Sequence, residues 1–387
     1  MLRTLAIAGY RSLRDVRIAL GPVTLVTGAN GTGKSSLYRA LRLLTDIAHG
    51  RLIASLAQEG GLGSTLWAGP EIIGAAVKRG DHAVQGTLRQ KPVALKLGFA
   101  SDEYSYAIDV GLPVPNPMPT RFGRDPEMKR EALWVGEVAS RHSMVAERRG
   151  PVVQIRDRSG SWAVTEDGLP PWESMMTYAA DPREARELLL LREQMRRWRF
   201  YDHFDSGRTA PARHPYVGTR TPVLAGDGRD LAAAVQTIRE TGREEEFDNA
   251  IADAFPGSRV EVETNNGYFS LVMQQHGLLR TMSMSELSDG TLRYLLLVAA
   301  LLSPRPPQVM VLNEPETSLH PDLVPPLARL IARAARDSQL IIVSHAGALV
   351  SAIEGATASE RVTLVKEFGE TRVEQEGAVG RWSWPAR

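Results

Sequence analysis

At 387 residues the chain is long enough for two or three ordinary domains, or for one domain interrupted by a large insertion. Its 43% hydrophobic and 24% charged residues are those of a soluble globular protein, and a net charge of +1 excludes a global field for nucleic acid or an anionic membrane. The absence of cysteine removes disulfides, thiolate zinc sites and cysteine nucleophiles together.

The N-terminal Met1-Leu2-Arg3-Thr4-Leu5 turns polar too soon for a signal peptide, and the longest apolar run, Tyr294 to Leu302, is too short to span a bilayer. A cytoplasmic protein with no membrane partner is expected. Three strands are predicted next, at Leu5 to Ile7, Val16 to Leu20 and Val23 to Val26, separated by Tyr10-Arg11-Ser12 and Gly21-Pro22. Gly28-Ala29-Asn30-Gly31-Thr32-Gly33-Lys34-Ser35 follows, and Leu37, Tyr38, Ala40, Leu41 and Leu44 then recur at helical spacing. A G-x-x-x-x-G-K-[ST] stretch between a strand and a helix predicts a cradle for the phosphates of a nucleoside triphosphate. Gly28, Gly31 and Gly33 permit backbone torsions and close approach that a Cβ would block, so successive N–H groups face phosphate oxygens. Lys34 is expected to reach the β and γ phosphates and the Ser35 hydroxyl to ligate magnesium. Asn30, Thr32 and Ser36 complete the binding set.

Residues 71 to 165 alternate as an antiparallel sheet would, broken by the proline-rich stretch from Pro113 to Pro126. From Pro182 the pattern turns helical, with Glu184 to Arg199 as one helix and Leu231 to Ala254 as two more. Between them, Arg196-Arg197-Trp198-Arg199, Arg208, Arg213, His214 and Arg220 interleave with Trp198, Phe200, Tyr201 and Phe204. This mixture has two readings, a nucleic-acid contact with stacked bases or an aromatic hinge packed on the remainder of the protein. The turn Asn265-Asn266-Gly267 predicts a hairpin between Val260 to Glu263 and Tyr268 to Met273. No heptads are sustained, so a long coiled coil is excluded.

Leu287-Ser288-Asp289-Gly290-Thr291, ahead of the apolar helix Leu292 to Leu302, resembles the ABC signature L-S-G-G-Q. A buried strand, Val309 to Leu312, then runs into Asn313-Glu314-Pro315-Glu316-Thr317-Ser318-Leu319-His320-Pro321, and the strand Leu340 to Val343 ends at Ser344-His345. Phosphate loop, signature, acidic strand end and histidine come in the order of an ABC-type ATPase. Together with Gly9-Tyr10-Arg11-Ser12-Leu13 they resemble the soluble branch that includes RecF, the OLD-type ATPases and the SMC/Rad heads. Arg197 to His203 and Thr219 to Leu231 look like the RecF-like bacterial ATPases. The motif-level likeness covers about residues 1 to 50 and 280 to 350, and the middle matches only in general layout.

The resemblance implies an α/β ABC-type P-loop NTPase head with an antiparallel β lobe and a helical insertion. The expected domains are an N-terminal ATPase lobe over 1–180, the insertion over 181–258 and a C-terminal ATPase lobe over 259–387. It implies ATP and Mg2+, Glu314 as the residue polarising the attacking water, and His345 as the switch that senses the γ-phosphate. Ser288 and Gly290 are expected to act on the nucleotide of a second copy, giving an ATP-dependent homodimer; the alternative for Ser288 is an ordinary helix N-cap. Arg11 stands where relatives contact base or ribose, and a solvated turn residue is the equal alternative. A glutamine of the Q-loop is expected, with Gln58 and Gln85 as candidates. The family's aspartate before the catalytic glutamate is here Asn313, which keeps an oxygen for magnesium but no charge, so slow hydrolysis is expected. Without cysteine a zinc hook is excluded, and the forty or so residues after His345 are too few for an appended nuclease domain. DNA and a separate effector protein are the remaining candidate partners. The first suits a role in repair, maintenance or defence against foreign DNA, and the second a nearly inactive ATP-gated scaffold.

Overall fold

The computed structural model describes residues 1–70, 94–114, 120–157, 159–202, 204–375 and 382–385. The chain folds as two compact units, one of Met1–Gly21, Val26–Trp198 and Arg361–Arg387, the other of Pro22–Leu25 and Arg199–Glu360. The stretch expected as a helical insertion, 181–258, is therefore shared between them.

In the first unit an eight-stranded antiparallel sheet runs in the order Leu13–Ala19, Leu2–Tyr10, Leu95–Ser101, Tyr104–Gly111, Glu127–Val135, Met144–Arg149, Val152–Arg156 and Trp162–Asp167. Its first hairpin closes through Arg11 and Ser12, with Arg11 in the left-handed region at φ +50°. One face carries small residues, Ala6, Gly98, Ala100, Ala107 and Ala132, and over them lie the indoles of Trp134 and Trp382, 5.5 Å apart. A Cβ on Gly98 would stand 2.6 Å from the Trp382 ring, so the glycine makes room for it.

The helix Lys34–Ala48 buries Leu37, Leu41, Leu44 and Ile47, the face its spacing predicts, and ends where Gly50 turns left-handed at φ +70°. The helix Arg186–Arg196 is shorter than the expected Glu184 to Arg199. Trp198 is buried against Phe99, ring centroids 5.3 Å apart, and Arg199–Tyr201 leaves the helix to pair as a parallel strand with Val309–Asn313. A ladder partner distant in sequence here overrides local helical periodicity.

A wholly buried ion pair joins Arg148 to Glu131 at 3.2 Å. Glu131 also accepts from Tyr106 Oη (2.6 Å), the Ser174 hydroxyl and the Met175 amide (2.8 Å). Arg148 donates to the carbonyls of Gly150 (2.8 Å), Pro170 (2.9 Å) and Glu173. With its lone pairs and protons so employed the pair fastens residues 170–175 onto the sheet, and burial beside Glu131 pushes the Tyr106 phenol well above its ordinary pKa.

In the second unit Arg199–Tyr201, Val309–Asn313 and Gln339–Val343 lie parallel in that order, Phe200 facing Val311 and Leu312 facing Ile342. The Leu340 amide donates to the Pro22 carbonyl at 2.8 Å, so the start of the strand Val23–Gly28 lies beside them. The helices Leu231–Ile238, Glu244–Ala254, Asp289–Leu301, Val324–Ala334 and Gly347–Ala356 share one apolar core with these strands. Two helices separate between 231 and 254 as expected, because Gly242 breaks the run at φ +87°. The hairpin Arg259–Asn265 and Tyr268–Gln274 turns through Asn266 (φ +49°) and Gly267 (φ +81°), the two left-handed residues its sequence demands.

Arg148→Met, which strands a buried carboxylate, is expected to lower unfolding stability by about 3–5 kcal/mol, and Glu131→Gln, whose single amide oxygen can accept from Tyr106 or Met175 but not both and which leaves the Arg148 cation unpaired, by a comparable amount. Urea unfolding followed by fluorescence measures both, and a loss below about 1 kcal/mol for Arg148→Met would show that the pair does not fasten the segment.

Candidate functional site

The phosphate loop lies in the first unit. Gly28 has φ +146° and a Cβ there would strike the Leu364 carbonyl; Gly33 has φ +111° and a Cβ there would strike the Thr371 hydroxyl. Both positions therefore demand glycine by torsion and by space. Thr371 braces the loop: its hydroxyl donates to the Thr32 carbonyl (2.6 Å) and can accept from the Ser12 hydroxyl (2.8 Å). The Thr32 hydroxyl donates to Ala29 O (2.8 Å), and the Lys34 ammonium curls over the loop to Gly28 O (2.6 Å) and Ala29 O (3.1 Å). No side chain caps the helix Lys34–Ala48, and Asn30, Gly31 and Ser35 are exposed. Its first-turn amides and Lys34 thus gather donors and positive charge at one end of the helix, where phosphate oxygens would find partners, with Ser35 and Ser36 opening the helix.

Arg11 is engaged in the same unit. Its guanidinium meets Glu59 at 2.6 Å, the Tyr10 hydroxyl meets the same carboxylate at 2.7 Å, and the Arg11 amide donates to Thr65 O at 2.7 Å. Arg11 is thus a half-buried, paired residue on a strained turn rather than a freely solvated one. Gln58 closes the helix Leu52–Gln58, and Gln85 lies outside the described residues.

In the second unit three parallel strands end side by side and present their next residues together: Asp202 after Tyr201, Asn313 with Glu314, and Ser344 with His345. The C-terminal edge of a parallel sheet is where α/β folds gather functional groups. Asn313 Nδ2 donates to Asp202 Oδ1 at 2.6 Å, which leaves the Asn313 carbonyl oxygen as an acceptor. Glu314 turns left-handed at φ +46°, its amide donating to Val343 O (2.7 Å) and its carbonyl accepting from the Arg293 guanidinium (3.0 Å). Its half-exposed carboxylate stands 3.3 Å from His345 Nδ1. Beneath them Glu316 is buried, accepting from the Ser344 hydroxyl at 2.6 Å with His345 Nδ1 at 3.8 Å. Burial lowers the pKa of the Arg293 guanidinium, and the charges of Glu316, Asp202 and Glu314 partly restore it. The sequence reading did not single out Asp202, Glu316, Arg293 or Thr371. Arg293 alone left a signal, a charge inside an otherwise apolar helix.

Ser288 caps the helix Asp289–Leu301, its Oγ accepting from the Thr291 amide at 3.1 Å. Gly290 has a packing reason of its own, since a Cβ there would stand 2.8 Å from the carbonyl of Ser318, itself left-handed at φ +66°. Ser288, Gly290 and Thr291 line an open cavity of about 660 Å³ together with Phe255, Ser318 and His320. The mixed basic and aromatic segment packs inward: Trp198, Tyr201 and Phe204 are buried, so base stacking on them is excluded.

Residues 169–351 match the family model described as "AAA domain, putative AbiEii toxin, Type IV TA system", and residues 4–46 match one described as "AAA domain". A segment of 44 residues is 41% identical to the OLD nuclease of Thermus scotoductus (strain ATCC 700910 / SA-01), covering 11% of this chain and 8% of that protein. Among solved structures, the Smc head bound to the C-winged helix domain of ScpA aligns over 97% of both chains at 14% identity with a TM-score of 0.50, which shows the fold. The SMC head domain from Thermotoga maritima aligns over 97% of this chain and 99% of its own at 16% identity, TM-score 0.43. No helix among the described residues is long and apolar enough to cross a membrane. The matched segments and the shared fold give this chain the fold of an ABC-type P-loop NTPase head, and the order of its motifs is similar to that of the SMC, RecF and OLD ATPases.

Proposed function

We propose that the chain binds ATP with magnesium, and that two copies close on the nucleotide, the phosphate loop of one against the Ser288–Gly290 turn of the other. The observation that carries this reading is the convergence of strand ends that sets Glu314 beside His345 at 3.3 Å above a buried Glu316. A carboxylate so placed orients a water for attack, and the neighbouring imidazole registers its position. Lys34 and the first-turn amides hold the β and γ phosphates.

Magnesium is a hard cation that takes oxygen, and each unit offers one such candidate ligand: the exposed Ser35 hydroxyl in the first and the Asn313 side-chain oxygen in the second. When bound, magnesium neutralises charge on the β and γ phosphates. Asn313 adds none, so hydrolysis is slow and ATP serves as a timed clasp between two heads. The clasp acts in the cytoplasm on DNA, in repair, maintenance or defence against foreign DNA, in keeping with the OLD-like segment. A second reading, an ATP-gated scaffold for a separate effector protein, is favoured by the Asn313 amide being taken up by Asp202 at 2.6 Å. Phosphate release stimulated by duplex DNA supports the first, and DNA indifference with a co-purifying protein supports the second.

Light scattering on a sizing column is expected to show Glu314→Gln as a dimer with ATP and a monomer without it. A mass unchanged by nucleotide would overturn the two-copy reading. Steady-state phosphate release is expected to fall about 100-fold or more in Glu314→Gln. Exchanging the pair, Asp202→Asn with Asn313→Asp, keeps the amide–carboxylate bond but moves the charge, and turnover is expected to rise about tenfold, equivalent to roughly 1.4 kcal/mol of barrier. A wild type as fast as the exchanged variant would count against slow hydrolysis.

A further inference from the structure

Arg213 sits on the short 3-10 turn Pro211–Arg213, far in sequence from the signature, and its side chain is only 5% exposed. Its guanidinium is committed to two loops. Toward its own segment it donates to Ser206 O (2.7 and 3.1 Å) and Gly207 O (2.8 Å). Toward the approach to Ser288 it donates to Met284 O (2.7 Å), Ser285 O (3.4 Å) and Leu287 O (2.8 Å), and to the Asp289 carboxylate (2.7 Å). A planar fork of five donors can bridge so many acceptors at once, which a lysine ammonium cannot.

The acceptors matter as much as their number. Met284, Ser285 and Leu287 set the path by which the chain enters the Ser288 N-cap, and a shift of about 1 Å there moves the donors of Ser288 and Gly290 off any phosphate they serve. Asp289 is a carboxylate placed where L-S-G-G-Q carries glycine, in the first turn of the same helix. Left alone it would repel an incoming γ-phosphate and compete for the positive end of the helix dipole. Arg213 pairs with that carboxylate from the buried side, screening part of a charge that is otherwise exposed.

We infer that Arg213 is the positioning residue of the Ser288–Gly290 turn: it fixes the turn's backbone and screens Asp289, so that the turn can accept the γ-phosphate held by a second copy. The inference rests on the two-copy reading. Arg213 touches no nucleotide; it acts through the loop.

The test uses the full chain carrying Glu314→Gln, with Arg213→Lys, Asp289→Asn and both together. Three measurements are made: dimer formation with ATP by light scattering, affinity of the monomer for a fluorescent ATP analogue, and hydrogen exchange of residues 284–291. Arg213→Lys is expected to weaken ATP-driven dimerisation at least tenfold, leave analogue affinity within about twofold, and speed exchange at 284–291. Adding Asp289→Asn is expected to recover part of the dimerisation, because the uncompensated charge is gone, whereas a purely structural loss would not be rescued. Equal dimerisation by the Arg213→Lys and parent chains would overturn the inference. So would a joint fall in analogue affinity and melting temperature with exchange accelerated throughout, the mark of general destabilisation. A parent chain that stays monomeric with ATP defeats the two-copy reading itself, and the γ-phosphate role with it.

Discussion

Glu314 leaves its strand at φ +46°, a conformation that costs a residue with a Cβ about 1–3 kcal/mol, and the surrounding structure is arranged to hold it there. Its amide is tied to Val343 across the parallel ladder, and its carbonyl to Arg293 on the helix that follows the signature. The turn lifts the carboxylate to His345 instead of letting it continue along the sheet. Ser318, a second left-handed residue four positions on, brings its carbonyl against Gly290. A single loop thereby meets the histidine at one end and the signature turn at the other.

Buried charge gives the loop its setting. Arg293, 1% exposed, reaches the carbonyls of Phe204 and Glu314 and lies in the field of Glu316, Asp202 and Glu314. A buried cation among carboxylates is stable only while all of them stay in place, so the group resists partial rearrangement. The segment from Asp202 to Arg213 runs past each element in turn: Asp202 bonds Asn313, Phe204 accepts from Arg293, and Arg213 clasps the approach to Ser288. What read in sequence as an arginine-rich irregular stretch is a seam joining the acidic strand end to the signature turn. Its irregular backbone follows from serving side chains on two different loops.

Much of the local architecture was legible because its causes are local. The phosphate loop announces itself through Gly28 and Gly33, at positions that tolerate no Cβ, and the hairpin at Asn266-Gly267 through two adjacent residues suited to positive φ. The helix Lys34–Ala48 shows its buried face in the spacing of Leu37, Leu41 and Leu44. The sequence pattern ends a helix at Arg199 and shows no strand at Arg199–Tyr201, because the partner that makes it a strand lies more than a hundred residues away. Arg11 was read as nucleotide contact or solvated turn, and its grip on Glu59 joins residues 48 apart.

By itself the sequence determined the backbone of the glycine loop between strand and helix, since its torsions need a short run of glycines in fixed order, and that need is written contiguously. It also determined the period of each long helix and the tightest turns. Only the tertiary structure decided which polar groups stand together: Asp202 with Asn313 across 111 residues, Arg213 with Leu287 across 74, and Thr371 with Thr32 across 339. Such pairs cannot be read from spacing, because burial and folding topology, rather than local torsional preference, bring their atoms within hydrogen-bond distance.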